Sequence, residues 1–338
     1  MIVLGVETSC DETSVALINE NDILANQISS QIIHQRFGGV VPELASRNHL
    51  RLIEIMVQEA LKQAGISLNE VDGFGVTYGP GLVGALLVGL NFVKGLSLAM
   101  NKPFVGVNHI EGHIFANFID HPELKPPFLS LVVSGGHTHL IIVKDFFEYS
   151  IIGKTRDDAV GEAFDKVAKM LNLGYPGGPV IDNLAKEGDE NAITFPIPVF
   201  KNTEGFEFSY SGLKTAVLNY IRKNQDRSEE ELKNIAAGFQ KAAVTALVKN
   251  SIDAARKYSL RNIVIAGGVA ANSRLRSLMK EEAEKYHLNV YYPSHILCMD
   301  NAAMIAKVAQ LKLKRGLTSP LSLAAYPFLP IDKDYSVS

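Results

Sequence analysis

Cysteine is scarce in this 338-residue chain: Cys10 and Cys298 are the two it has. They cannot build the bridge framework that holds small secreted domains together. Net charge is equally sparse, at −3, which excludes a protein that holds nucleic acid by bulk basicity alone. The balance is uneven, because residues 1–144 carry 8 Lys+Arg against 13 Asp+Glu and the remainder 25 against 23. A polyanion-facing surface is therefore expected in the second half. The N-terminus has no basic leader, and Glu7 interrupts its apolar run, unlike a secretory signal. The longest apolar stretch, 82–100, contains Asn91, Lys94, Ser97 and glycines, and reads as a buried helix of a soluble protein, with no membrane span. What is present is an ordinary globular composition, 47% hydrophobic and 20% charged, in a chain long enough for two domains. A soluble, cytoplasmic protein is expected.

Hydrophobic periodicity predicts strands at 2–7, 14–18 and up to about Ser30, with a turn at Asn21-Asp22. After Gly38-Gly39 and Pro42, a helix over 43–64 is closed by Gly65. A strand at 74–77, a Gly79-Pro80-Gly81 turn, a helix at 82–100 and a strand at 103–107 follow. The second half repeats that order. Strands are expected at 128–133, 137–143 and 147–152, then an inserted helical region over about 158–258, broken at 174–179 and within 195–208. A strand at 263–266, a Gly267-Gly268 turn, a helix at 269–285, a strand at 288–292 and a helix opening at Asp300 complete the pattern. The domains expected are 1–120, 121–315 with the insertion, and a tail, 316–338, packed back on the first lobe.

In each half the first two strands meet in a short polar loop, Thr8 to Thr13 in one and Ser134-Gly135-Gly136-His137-Thr138 in the other. Facing each other across a cleft, two such loops would offer backbone N–H groups to phosphate oxygens, though either alone is an ordinary hairpin turn. Gly267-Gly268 has a similar position before a helix, where anions are attracted, and Asn272 lies in that helix's first turn as a ligand contact or a cap. His109 and His113 stand four apart after an apolar strand, so their imidazoles fall on one helix face and can supply two metal ligands. Such a pair also arises by chance. The zinc-protease helix places its general-base Glu directly after the first His. Here it is Glu111, two positions on and about 200° around the helix, facing away. Asp300 reads as an N-cap or as a third ligand reaching in from the opposite lobe.

The stretches Gly5-Val6-Glu7-Thr8-Ser9-Cys10-Asp11-Glu12-Thr13, His109-Ile110-Glu111-Gly112-His113, Val133-Ser134-Gly135-Gly136-His137-Thr138 and Gly161-Glu162-Ala163-Phe164-Asp165-Lys166 form a specific series. It continues through Tyr175-Pro176-Gly177-Gly178-Pro179, Phe208 to Thr215, Gly267 to Asn272 and Asp300 to Ala303. In this order and spacing, from about Val3 to Leu313, the chain resembles the universal family of tRNA threonylcarbamoyladenosine transferases. The likeness is to its bacterial TsaD form, once labelled O-sialoglycoprotein endopeptidases. The resemblance implies an α/β actin-like, Hsp70-like ATPase (ASKHA) fold, with two duplicated ribonuclease-H-like lobes and a helical insertion in the second.

It also implies transfer of a threonylcarbamoyl group from threonylcarbamoyl-adenylate to N6 of the adenosine beside the anticodon, in tRNAs reading codons that begin with A. Position by position, the implied metal ligands are His109, His113 and Asp300, holding one divalent ion, Fe2+ favoured and Zn2+ the alternative. The adenylate-binding set is Val132, Val133, Ser134, Gly135, Gly136, Asp165, Gly178, Asp182 and Asn272, a pocket that ATP or ADP would also suit. Asp11 matches an acidic catalytic position. Val133 stands where archaeal and eukaryotic relatives have a tyrosine ligand, which leaves a coordination position open and matches the bacterial branch. The implied partners are tRNA, a TsaB-like paralogue and a TsaE-like ATPase, with a homodimer when those are absent. The competing readings are a small-molecule kinase or ATPase of the same fold and a metalloprotease.

Overall fold

The computed structural model describes every residue except Asn21, Gly38, 199–204, 225–227 and Ser338, and describes 35–37 by their backbone alone. The expected turn at Asn21, the break at Gly38 and the middle of the 195–208 break thus lie outside the described residues. The chain divides into two compact units, Met1–Leu124 with Pro293–Ser338, and Lys125–Tyr292.

In the first unit, strands β1 (Val3–Glu7), β2 (Glu12–Ile18), β3 (Ile23–Ser30), β4 (Gly73–Gly79) and β5 (Phe104–Asn108) form one sheet in the order β3-β2-β1-β4-β5. β1 pairs antiparallel with β2 and parallel with β4, which makes it central and explains why its residues are buried on both faces. Helix α1 (Pro42–Ala64) follows β3. Its buried Ala45, His49, Ile53, Met56, Val57 and Ala60 recur at helical spacing, and Gly65 ends it at φ +67°. Helix α2 (Val83–Met100) lies between β4 and β5, and α3 (His109–Asp120) follows β5 directly, its first N–H groups capped by the Asn108 side chain. The residues expected to make α2 a buried helix cover only its inner face, Ala85, Leu86, Gly89, Leu90 and Val93; Val83, Leu87 and Leu98 are exposed.

The second unit repeats the topology. β6 (Phe128–Val133), β7 (Thr138–Asp145), β8 (Glu148–Lys154), β9 (Asn262–Ala266) and β10 (Asn289–Tyr291) are ordered β10-β9-β6-β7-β8, again with two antiparallel and two parallel pairings. Between β8 and β9 come α4 (Val160–Met170), α5 (Gly177–Ala185), α6 (Ser211–Lys223) and the long, largely buried α7 (Glu229–Lys257). After β9 the chain makes a 3-10 turn at Gly268–Ala271, and α8 (Ser273–Glu284) starts only at Ser273 because the Asn272 side chain caps it.

Short α9 (His295–Cys298) and α10 (Ala302–Leu313) complete the chain's helices among the described residues. The sequence reading gives 293–315 to the second lobe; the contacts put this segment in the first unit, because α10 packs on β1, β2, β4 and α3. Glycines permit that approach. Gly5 and Gly75 face each other in the β1–β4 register, and an added Cβ would lie 2.7 Å from Ala306 N at Gly5 and 2.6 Å from Ala309 Cβ at Gly75. Residues beyond α10 also lie in this unit: Ser319 N–H donates to Phe104 O, Tyr326 N–H to Tyr78 O, and Leu323 and Leu329 enter the core.

Gly75→Ala is expected to overpack the α10 seat and destabilise the chain by about 1–3 kcal/mol. Gly95→Ala on α2, where an added Cβ meets nothing within 4 Å, should be neutral or slightly stabilising. Denaturant midpoints compare the two, and equal effects would contradict the seat.

Candidate metal centre and nucleotide-loop cluster

β5 ends in Asn108, whose side-chain oxygen accepts from Ile110 N–H at 2.9 Å, so α3 begins abruptly with His109 in its first turn. One turn later comes His113, the two rings 4.7 Å apart and 82° to one another. α10 delivers the third group. The sequence reading makes Asp300 either this helix's cap or a ligand from the opposite lobe; in the structure Asn301 is the cap, accepting from Met304 N–H at 3.1 Å, and Asp300 belongs to the same unit as the histidines. Relieved of capping, Asp300 places Oδ1 3.1 Å from His113 Nε2 and 3.5 Å from His109 Nε2.

Among the described residues these three form a group able to hold a metal, their ligand atoms all within 4.8 Å of one another. The donors fit. Both ring nitrogens of His113 are buried without a hydrogen bond, Nε2 included although it faces Asp300 Oδ1, and buried polar atoms rarely stay unsatisfied. Two imidazoles and one carboxylate form a three-ligand set that suits Zn2+ or Fe2+ and leaves coordination positions open. Separations of 3.1 and 3.5 Å are those expected of ligand atoms sharing an ion at about 2.1 Å.

Carboxylates crowd this corner. Glu7, fully buried at the end of β1, lies 3.0 Å from His109 Nδ1. Burial raises the Glu7 carboxyl, but the His109 imidazole and the Thr77 hydroxyl outweigh it, and the net direction is down. For His109, burial pulls the imidazole down while Asp300 and then Glu7 hold it up to about 9. Glu12 is pushed up to about 9, first by burial and then by Asp300 and Asp11, with which it shares a hydrogen bond. Asp11 is thus the hydrogen-bond partner of Glu12, in a loop braced by His49, whose Nε2 lies 3.0 Å from Cys10 O. Glu111 points elsewhere: it pairs with buried Lys312 at 3.0 Å, which also pairs with Asp334 at 2.9 Å. Burial pushes the Cys10 thiol up, so it is no ready thiolate ligand. A cavity of about 250 Å³, lined by Ile18, Glu20, Phe118, Pro122 and Lys307 among others, lies at the far end of α3 and is separate from this centre.

The remaining candidates lie in the second unit. Val132 and Val133 are fully buried in β6, paired with His139 and Thr138 of β7. In the following loop Ser134 Oγ accepts from Gly136 N–H at 3.3 Å and His137 N–H at 3.1 Å. Part of the N–H set that the sequence reading offers to a phosphate is therefore taken up by the serine itself. Ser134 O accepts from Gly161 N–H at the start of α4, and Gly267 abuts Val133 O, where a Cβ could not fit. Asp165 accepts from Gly177 N–H at 2.7 Å and from Gly178 N–H; burial still leaves its carboxyl raised. Asp182 accepts from Ser273 Oγ–H at 2.8 Å, and Asn272 both caps α8 and donates to Gln240 Oε1 at 2.8 Å. The three polar side chains thus hold α5, α7 and α8 around a loop and glycine-rich turn of the type that accepts phosphates.

Sequence reasoning missed Glu7, buried against His109, along with Thr77 and Ser9 that hydrogen-bond to it. The signal was a charged residue ending an otherwise apolar strand, Val3–Glu7.

Comparison with known proteins fits this picture. A family model described as TsaD, tRNA N6-adenosine threonylcarbamoyltransferase, matches residues 22–307. Curated proteins of that name include one from Caldicellulosiruptor bescii, 53% identical over 97% of this chain and 98% of that one. Another, from Thermosipho africanus, is 53% identical over 98% of this chain and 100% of that one. Among solved structures, the Acidaminococcus fermentans (R)-2-hydroxyglutaryl-CoA dehydratase component A superposes with a TM-score of 0.56 at 16% identity, covering 93% of this chain and 99% of that chain. HypF of T. kodakarensis gives 0.61 at 14%, covering 93% of this chain and 47% of that chain. At such identities they show the fold alone, the duplicated actin-like architecture seen in the two sheets. By its family match and by its identity to full-length relatives, the chain belongs to the tRNA N6-adenosine threonylcarbamoyltransferase family of enzymes.

Proposed function

We propose that this chain transfers the threonylcarbamoyl group from threonylcarbamoyl-adenylate to N6 of the adenosine beside the anticodon, in tRNAs reading codons that begin with A. One divalent metal is held by His109, His113 and Asp300, Fe2+ favoured and Zn2+ the alternative. The observation that carries the reading is the convergence of these three side chains on one point in a chain matching this family over nearly its whole length. When bound, the metal supplies Lewis acidity toward a carbamoyl or phosphoryl oxygen. Asp11, hydrogen-bonded to Glu12, is the group we assign to accept or orient the amine proton, a weak nucleophile's main need. Val132, Val133, Ser134, Gly135 and Gly136, with Asp165, Gly178, Asp182 and Asn272, are assigned to the adenylate. The loop is assigned to offer Gly135 N–H to the leaving phosphate, since Ser134 Oγ takes the Gly136 and His137 N–H groups, and the three polar side chains act at least through the helix ends they fix. The protease reading lacks its base, because Glu111 is ion-paired with Lys312.

Net charge of −3 leaves little attraction for tRNA, so transfer is assigned to a cytoplasmic complex with a TsaB-like paralogue and a TsaE-like ATPase. The exposed Val83, Leu87 and Leu98 of α2 suit the paralogue, or a second copy of this chain in its absence.

In a mixture of this chain, threonylcarbamoyl-adenylate, tRNA and the two partners, nucleoside mass spectrometry should find threonylcarbamoyl-adenosine. Asp11→Asn is expected to cut kcat by about 10²–10⁴-fold. A complete mixture without the modified nucleoside contradicts the assignment. Separately, Leu87→Asp should dissociate the paralogue on size-exclusion chromatography, and a complex that survives it is held by another surface.

A further inference from the structure

We propose that Glu7 is a positioning residue for His109: it holds the proton on Nδ1, so that Nε2 is the nitrogen left to bind metal. The inference rests on the metal reading above and extends it to residues beyond the ligand set. An imidazole coordinates through its unprotonated nitrogen, and the partner of the other nitrogen decides which that is. His109 Nε2 faces Asp300, and Nδ1 faces Glu7 Oε2 at 3.0 Å and Ser9 Oγ at 3.1 Å. A carboxylate only accepts, so Nδ1 is the donor.

Glu7 is itself fixed. It is fully buried, Ser9 N–H donates to Oε1 at 2.5 Å, and the Thr77 hydroxyl on neighbouring β4 donates to Oε2 at 2.6 Å. Three donors thus converge on one carboxylate, which cannot turn without leaving one of them unpaired. Charge favours the same arrangement: the buried Glu7 carboxylate adds a negative charge behind the ring that would face a divalent ion. Glutamine at this position would bring an N–H2 either against Ser9 N–H or against Nδ1, and the second case drives His109 toward the wrong tautomer.

The test is the Zn2+ dissociation constant of the full chain, by competition with a chromophoric chelator, for wild type, Glu7→Gln, Thr77→Val and His109→Ala, with thermal midpoints of the metal-free proteins alongside. Glu7→Gln is expected to weaken binding by about 10–100-fold, and Thr77→Val to weaken it less but in the same direction. If Glu7→Gln does not fold, Thr77→Val decides. Wild-type affinity in the folded variants, with only the thermal midpoint lowered, makes Glu7 a purely structural strand end and overturns the proposal. A wild-type chain that holds Zn2+ no better than His109→Ala overturns the metal site, and this inference with it.

Discussion

The close approach of α10 to β1, β4 and α3 is the constraint on which the centre depends. Gly5 and Gly75 leave a side-chain-free groove across two paired strands, and Ala302, Ala306 and Ala309 present the matching small face of the helix. Gly112, between the two histidines, does the same for α3, since an added Cβ would lie 2.8 Å from Ile305 Cδ1. Ser14 Oγ accepts from Ala302 N–H at 2.9 Å and pins the helix start, while Asn301 takes the capping position. Asp300 is thereby held at the His109–His113 face by packing and hydrogen bonds that are independent of any ion.

The same region buries more charge than a core ordinarily tolerates, and each group has a partner. Lys312 sits between Glu111 and Asp334, and Tyr78 donates to Asp334 at 3.2 Å, which ties α3, α10, β4 and the C-terminal segment together. Such a buried network is poor evidence of net stability, but removing one member leaves an uncompensated charge. Its consequence is specific: Glu111 is withdrawn from the His109–His113 face. Glu7 is the counterpart, a buried carboxylate turned toward His109 and held there by Thr77 of β4.

Much of the fold was legible from the sequence, because burial on both faces gives central strands their unbroken apolar runs, as in Val3–Glu7 and Phe128–Val133, and α1 shows its period plainly. The repeated order of elements is matched by the repeated sheet order. The unit to which α10 belongs was not legible. Its order in the second repeat pointed one way, while the glycines that seat it, Gly5 and Gly75, lie hundreds of positions earlier and announce nothing locally. Capping was ambiguous for a similar reason: Asp300 and Asn301 are both good N-caps, and only the backbone chooses between them. The Ser134 loop looked open to an anion, since a one-letter sequence does not reveal that the serine hydroxyl occupies two of the loop's N–H groups.

The most direct test is an anomalous diffraction map of metal-loaded crystals collected at the absorption edge of the bound ion. The account predicts one strong peak about 2.0–2.2 Å from His109 Nε2, His113 Nε2 and an Asp300 carboxylate oxygen. A fully loaded protein with its peak at other residues would contradict it.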